Sequence, residues 1–387
     1  MALRWRMLLL LAAARLGLGF QFQTLASTGE YLIADFGFDY TQIGALIGIF
    51  MLPGLFLSLP VGFAGRYVSD RVLAGLGLAL LAVGGVLVSI ADGYGLIATG
   101  RAICGAGFLL STLYMVKMVA DWFSGHEIAT AMSILVMTWP LGIAAAQILH
   151  EYLAATVHWT AAFQTASILC AVGSTAVLTL YRSPKTASAG PATSGWRLSR
   201  GELVLTLSAS LVWALFNAGY IVYLSFSPKV LTGAGMPALE AAAIISVASW
   251  IMMISGAVAG QVADRTGRPD VVLYVCMAVA IGALMLLAVP GLSLVSSLAF
   301  GLIGMAPAGI IMALTGAAMR PENRAFGMGL FFSGYFLVTA PAPVIAGSLF
   351  DRSGDAFDAV IFASALFGAV AIGNLTFRIL HRRLGPV

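Results

Sequence analysis

Twelve long apolar stretches, parted by short breaks that hold almost all of the charge, leave this chain few folds to choose from. They run roughly over 7–33, 42–64, 72–91, 95–119, 128–150, 158–181, 202–226, 238–260, 271–289, 292–318, 325–348 and 358–379. Most approach the ~20 residues that carry a helix across a ~30 Å hydrocarbon core. Composition rules out a soluble bundle. The chain is 60% hydrophobic and 9% charged, whereas a soluble domain carries about 25% charged residues, so lipid has to be its main solvent. In lipid every backbone N–H and C=O must be satisfied within the structure, which stretches of this length achieve as helices. The expected fold class is an all-α membrane protein with twelve transmembrane helices. No loop is long enough for a separate soluble domain.

Charge placement orients the bundle. With the N-terminus in the cytoplasm, all 20 Lys and Arg fall on the cytoplasmic side except Lys229 and Arg352 outside and Arg15 and Arg101 within spans. That is the positive-inside asymmetry, and an odd number of spans would destroy it. Both termini are then expected in the cytoplasm, with the chain multi-pass in the inner (plasma) membrane. The net charge of +4 follows from this topology and argues for no nucleic-acid partner. Residues 1–17 have the texture of a signal peptide, with Arg4, Arg6 and Ala12-Ala13-Ala14. The apolar run continues to Ile33, however, and the even span count needs this helix as an uncleaved first span. Cys104, Cys170 and Cys276 lie far apart within spans and read as small core residues rather than disulfide partners or metal ligands.

The longest polar stretch, Arg182 to Arg200, follows the sixth span and reads as a cytoplasmic linker. It divides the chain into six-helix halves at 1–181 and 202–387, with the linker at 182–201. Matching features fall at matching places in the two halves. The turn after span 2, Gly62 to Arg71, answers the turn after span 8, Gly260 to Arg268. The turn after span 4, Asp121 to Glu127, answers Arg320 to Arg324 after span 10. Such correspondence is the trace of two parallel repeats, and hence of two pseudo-symmetric six-helix bundles.

The stretch Gly260-Gln261-Val262-Ala263-Asp264-Arg265-Thr266-Gly267-Arg268 resembles the signature loop of the major facilitator superfamily. Gly100-Arg101 with Gly105 and Gly107 resembles that superfamily's fourth-helix motif. Within it, Gly17–Gly44 and Lys117-Met118-Val119-Ala120-Asp121-Trp122-Phe123 look most like the cyanate-permease-like branch. The resemblance covers essentially the whole chain and implies the major facilitator fold, with two halves rocking about a central site. The first half departs from the pattern: counted from Gly62, the usual acid is replaced by Arg66 and the second glycine by Ser69, and an acid comes only at Asp70. Gly260, Asp264, Arg265, Gly267 and Arg268, with Asp70, are the candidate gating residues. Glycine would supply close approach and positive φ there, and the acid would hold a basic residue or a helix end. A solvated turn that only enforces topology is the plainer reading of the same residues.

Intramembrane polar residues carry what can be said of the cargo, because charge at depth costs at least ~2.5 kcal/mol on insertion scales. Arg101 shares a helical face with Gly105, Phe108, Thr112 and Met115; it reads equally as an anion-binding guanidinium and as a structural donor to helix carbonyls. Arg15, nearer mid-span, shares a face with Gly19, Phe22 and Ala26 and reads as a cavity cation, or as an arginine snorkelling to the headgroups. Lys117 is placed as an interfacial anchor and His150 as interfacial. No Asp or Glu falls clearly at mid-membrane, with Glu30 the nearest exception. Two buried arginines without a buried acid favour an anionic cargo. Span 7 adds Trp213, Asn217, Tyr220 and Tyr223 at helical spacing, and span 5 adds Trp139, Gln147 and His150. Trp139, Trp213, Asn217 and Tyr220 join Arg15 and Arg101 as candidate substrate contacts. Helix packing and the outer aromatic belt are the alternatives for the aromatic ones.

These residues point to a secondary transporter of a small, anionic solute (cyanate-like or a carboxylate) working by rocker-switch alternating access. A proton-coupled drug or metabolite exporter and a non-transporting membrane sensor or assembly factor are the other readings. No P-loop, metal-ligand cluster or nucleophile elbow occurs in the sequence, so an enzyme, a metal or another cofactor is not expected. The expected partners are the solute, the lipid bilayer and a proton as candidate coupling ion, with a monomer as the working unit.

Overall fold

The computed structural model describes residues 3–65, 67–123, 127–184, 198–320 and 323–384. Among them, 12 helical spans are long and apolar enough to cross a membrane. The first six are α1 (Leu3–Phe36), α2 (Tyr40–Ala64), α3 (Asp70–Ser89), α4 (Tyr94–Trp122), α5 (Glu127–Thr156) and α6 (Trp159–Leu180). Then come α7 (Arg200–Gly233), α8 (Ala238–Thr266) and α9 (Pro269–Leu286). The last spans are built from α10 (Ser293–Ala299), α11 (Ala308–Ala318), α12 (Arg324–Thr339), α13 (Ala342–Ser353) and α14 (Phe357–Leu384). Most of the expected linker and Arg66 lie outside the described residues.

Spans 10 and 11 read as continuous apolar runs, but each is a broken helix. After α10 the backbone widens into a π-turn at Phe300–Gly304 and resumes as α11 only after Pro307. Between α12 and α13 the chain passes through Ala340 and Pro341. A proline lacks the N–H that the preceding turn would accept and its ring crowds that carbonyl, so an apolar run can cross the membrane without staying one helix. Pro53, Pro60, Pro140 and Pro228, by contrast, sit inside unbroken helices.

The contacts divide the chain into two compact units, Met1–Gly37 with Ile49–Pro191, and Phe38–Gly48 with Ala192–Val387. In the first, α1 packs on α5 and α6, and α3 packs on α4 and α6. Backbones come close where glycine removes the side chain. A Cβ on Gly19 of α1 would lie 2.9 Å from the Gly142 Cα of α5, and one on Gly100 of α4 would lie 2.6 Å from the Gly84 carbonyl of α3.

In the second unit α7 packs on α14 and α12. The start of α2 belongs to this unit too, capped by a residue far away in sequence. The Asp351 carboxylate of α13 accepts from the Tyr40 and Thr41 backbone N–H groups (2.9 and 2.7 Å) and from the Thr41 hydroxyl (2.5 Å), while Tyr40 stacks on Phe350 at 3.9 Å. An acid at a helix N-terminus satisfies orphan donors and complements the helix dipole. Asp351→Ala is expected to cost about 1 kcal/mol and to lower the thermal midpoint by about 2 °C. An unchanged midpoint in a fluorescence-monitored melt would show that the cap carries no stability.

Candidate functional site

Arg101 explains the glycines around it. A Cβ on Gly105 would collide with the Phe50 carbonyl of α2, and one on Gly107 with the Gly77 carbonyl of α3. Bare backbone on these turns lets α4 sink between its neighbours until Arg101 reaches α1. The side chain is fully buried. Its Nη1 donates to the Gln21 carbonyl (3.1 Å) and the Thr24 hydroxyl (3.3 Å), Nη2 donates to the Phe22 carbonyl (3.5 Å), and the guanidinium lies 4.6 Å from the centre of the Phe50 ring. Helix carbonyls keep a second lone pair after their intrahelical bond, and a planar donor set reaches several at once. Gln21 completes the knot, donating to the Leu81 carbonyl (3.0 Å) and the Cys104 sulfur (3.3 Å).

Beside this knot stands an aromatic wall drawn from four helices. Phe22 of α1 meets Phe50 of α2 edge-on (5.5 Å between centroids) and Trp139 of α5 at a tilt (5.6 Å). Phe108 of α4 joins Phe50 (5.4 Å) and Trp139 (6.3 Å). The Trp139 Nε1 and, one turn after Phe108, the Thr112 hydroxyl are buried without hydrogen-bond partners.

Arg15 is a different kind of arginine. It is 7% exposed, so it does not snorkel to open solvent, and its Nε and Nη1 have no hydrogen-bond partner. Helical spacing places it on the Phe22 side of α1, two turns before that ring. The first unit thus holds one arginine tied into the fold and another with buried donors uncommitted, and a π-rich wall follows on the second one's helix face.

In the second unit the polar stripe of α7 is only partly uncommitted. Tyr220 and Tyr223 are buried inside the unit rather than in an interfacial belt. Tyr220 is bonded to the Ser249 hydroxyl at 2.7 Å, and Tyr223 to the Ser297 hydroxyl at 3.1 Å and the Ile245 carbonyl at 3.2 Å. The Asn217 amide donates to the Trp213 carbonyl one turn back at 2.8 Å, and Trp213 is half-buried, stacked on Phe216. A separate hollow of about 440 Å³ in this unit is lined by Ala313, Thr315, Gly316, Met319 and Met328, all uncharged.

The signature turn is mostly helix. Gly260, Asp264 and Arg265 lie within α8, and the reversal is made by Gly267, in the left-handed conformation at φ 64°, with Arg268 and Pro269 following. Gly267 needs positive φ; Gly260 does not, and a Cβ there would meet nothing within 4 Å. Asp264, Arg265 and Arg268 are exposed, and their side chains form no ion pair among the described residues. Asp70 opens α3 and is paired with Lys117 of α4 at 2.6 Å, so Lys117 is an ion-pair partner as well as a residue near a helix end.

A sequence profile of the Major Facilitator Superfamily matches residues 9–331. The chain belongs to the Major Facilitator Superfamily. Solved structures agree on the fold. A bacterial homologue of the human lysosomal transporter Spinster, in an inward-facing and occupied conformation, superposes with a TM-score of 0.72 at 14% identity, over 98% of this chain and 96% of that one. The nucleoside transporter NupG, solved as a point mutant, gives a TM-score of 0.75 at 14% identity over 96% and 99%. No curated protein sequence matches the chain.

Three groups in this facilitator escaped the sequence reading. His150, expected at the interface, is fully buried, because α5 runs on to Thr156 and leaves it well inside the helix. Glu202 is also buried; it closes a capping box with Ser199 and accepts from the Arg320 backbone N–H (3.1 Å) and the Asn323 amide (2.9 Å). In the first turn of α9, Asp270 is held by Arg378 (2.8 Å) and Asn374 (3.0 Å) of α14. The first-turn acid was the available clue to Asp270, but its partners lie more than 100 residues away.

Proposed function

We propose that this facilitator moves a small organic anion across the inner membrane, with Arg15 as the charge-recognition group. The observation that carries the reading is the buried Arg15 guanidinium, whose Nε and Nη1 donors are uncommitted. A guanidinium with open donors recognises a carboxylate or a similar flat anion, and a nearby wall of Phe22, Phe50, Phe108 and Trp139 suits an apolar, planar body. Arg101 acts through α1, holding the helix that carries Arg15 in position. Within the second unit, Trp213 and Asn217 are the candidate contacts on α7, while Tyr220 shapes that helix through Ser249. Both termini lie in the cytoplasm, a monomer is the working unit, and a proton is the coupling ion. The cyanate-permease-like branch fits the residues at Gly17–Gly44 and Lys117–Phe123.

The aromatic wall also favours a second reading, a nucleoside whose base stacks on it, and NupG, which shares this fold, is a nucleoside transporter. Proteoliposome uptake separates these readings. Anion uptake that saturates and that uridine does not compete supports the first. Uridine uptake indifferent to Arg15→Gln supports the second. Pumping of tetraphenylphosphonium supports a drug exporter, and binding without flux a sensor.

Alternating access assigns Asp264 a partner it lacks among the described residues. A carboxylate in the last turn of a helix opposes the dipole, costing a few tenths of a kcal/mol. Asp264→Asn is therefore expected to leave thermal stability equal or slightly raised while slowing transport about tenfold, a loss of roughly 1.4 kcal/mol in one conformational state. Wild-type turnover in that variant would reduce the signature turn to a topological device.

A further inference from the structure

Farther along α5 lies a second group of buried polar side chains without partners. His150 is fully buried, and neither ring nitrogen has a hydrogen-bond partner. Gln147, one turn earlier, is 2% exposed with both ends of its amide unpartnered. The imidazole meets the Phe20 ring edge-on at 5.5 Å, and Phe20 stands five residues beyond Arg15 on α1, a rise of about 7.5 Å. Helix register brings a third group to the same place. A Cβ on Gly19 would lie 2.8 Å from the Ile143 nitrogen, and one turn farther on the two helices stand Gln23 and Gln147. The Gln23 Oε1 is buried and unpartnered too. So many buried polar atoms along one seam are satisfied by water or by a change of protonation. Of these side chains only the imidazole can gain or lose a proton in the physiological range.

We propose that His150 binds the proton that travels with the anion. One imidazole nitrogen takes up a proton through its lone pair when the anion binds at Arg15. That N–H bond breaks when the anion leaves, so one proton and one anion cross together with no redox change. Glu151, the next residue on α5, is buried but accepts from Tyr31, and neighbouring helix positions do not face each other, so the counter-charge for an imidazolium in this seam comes from the anion. At a separation of about 10 Å and an effective dielectric of ~20, each raises the affinity for the other on the order of tenfold.

Neighbouring groups leave this role to His150. Among the described residues, α5 packs mainly on α1, α6 and α4. Their titratable groups at this depth are Arg15, Glu30 and Tyr31, then Arg101 and Cys104, then Cys170. The arginines stay cationic. Tyr31 donates to Glu151 of α5 at 2.9 Å, Cys104 accepts from Gln21, and Cys170 donates to the Gly17 carbonyl at 3.4 Å. Glu30 is exposed at the surface of the chain.

The inference rests on the anion reading of Arg15, and calorimetry on the purified full-length protein separates the two. The probe is benzenesulfonate, whose charge is constant with pH, titrated in buffers of different ionisation heat. Wild-type protein is expected to take up a proton on binding, with affinity rising on the order of tenfold from about pH 8 to about pH 5. His150→Gln and His150→Asn are expected to bind the anion with no proton uptake and a flat pH profile. In proteoliposomes these variants should lose accumulation driven by an inside-alkaline gradient. Wild-type protein that binds without taking up a proton, or variants that keep the uptake, would overturn the role of His150 alone. If wild-type protein binds no anion, or Arg15→Gln binds it equally well, the anion reading fails and this inference fails with it.

Discussion

Arg15→Gln is expected to reduce saturable anion uptake in proteoliposomes by roughly 30- to 150-fold, with little change in the thermal midpoint. A charge-assisted hydrogen bond to a desolvated anion contributes about 2–3 kcal/mol, which corresponds to that range. Stability should hardly move, because the guanidinium's Nε and Nη1 donate to nothing in the protein. Removing donors that are buried and unpaired relieves a cost rather than creating one. The combination is diagnostic. A structural arginine loses stability and transport together, whereas a recognition arginine loses transport alone. Arg15→Lys should recover part of the uptake, since an ammonium keeps the charge but not the planar fork. Full uptake in Arg15→Gln, with anion affinity unaltered, would remove Arg15 from the site.

The membrane class was plain in the sequence because lipid imposes a coarse constraint: span length and charge asymmetry are read off directly, without knowing which helix touches which. The π-turn at Phe300–Gly304 was not legible, since widening a helix by one residue per turn leaves hydropathy untouched. Pro341 was a visible hint of the α12–α13 break, but Pro140 in a continuous α5 shows why the hint is weak. The two intramembrane arginines stood out as residue types at depth, yet their difference did not. Both are arginines on glycine-containing helix faces, and only long-range partners distinguish them: Gln21, Phe22, Thr24 and Phe50 for Arg101. His150 was hidden by its place near the end of an apolar run, where a residue two turns inside a long helix looks interfacial.

Arg101→Ala is expected to lower the thermal midpoint in detergent by roughly 5–10 °C, as suits a loss of about 3 kcal/mol from a unit of this size. Three interactions are lost at once. The donors to the Gln21 and Phe22 carbonyls and to Thr24 disappear, the Phe50 face loses its cation, and a fully buried volume empties between α1, α2 and α4. Arg101→Lys should recover only part of the loss, because one ammonium cannot donate to both α1 carbonyls while lying flat on a ring. The effect on transport should be indirect. Since α1 carries Arg15 and Phe22, loosening it should blur the pose of the anion, raising the apparent KM and lowering the maximal rate together. Cooling the variant well below its midpoint should restore much of both. That temperature rescue is the distinguishing readout, because Arg15→Gln, folded but without its recognition group, should gain nothing from it. An Arg101→Ala protein that melts like wild type yet transports nothing at any temperature would instead make Arg101 a direct contact of the solute.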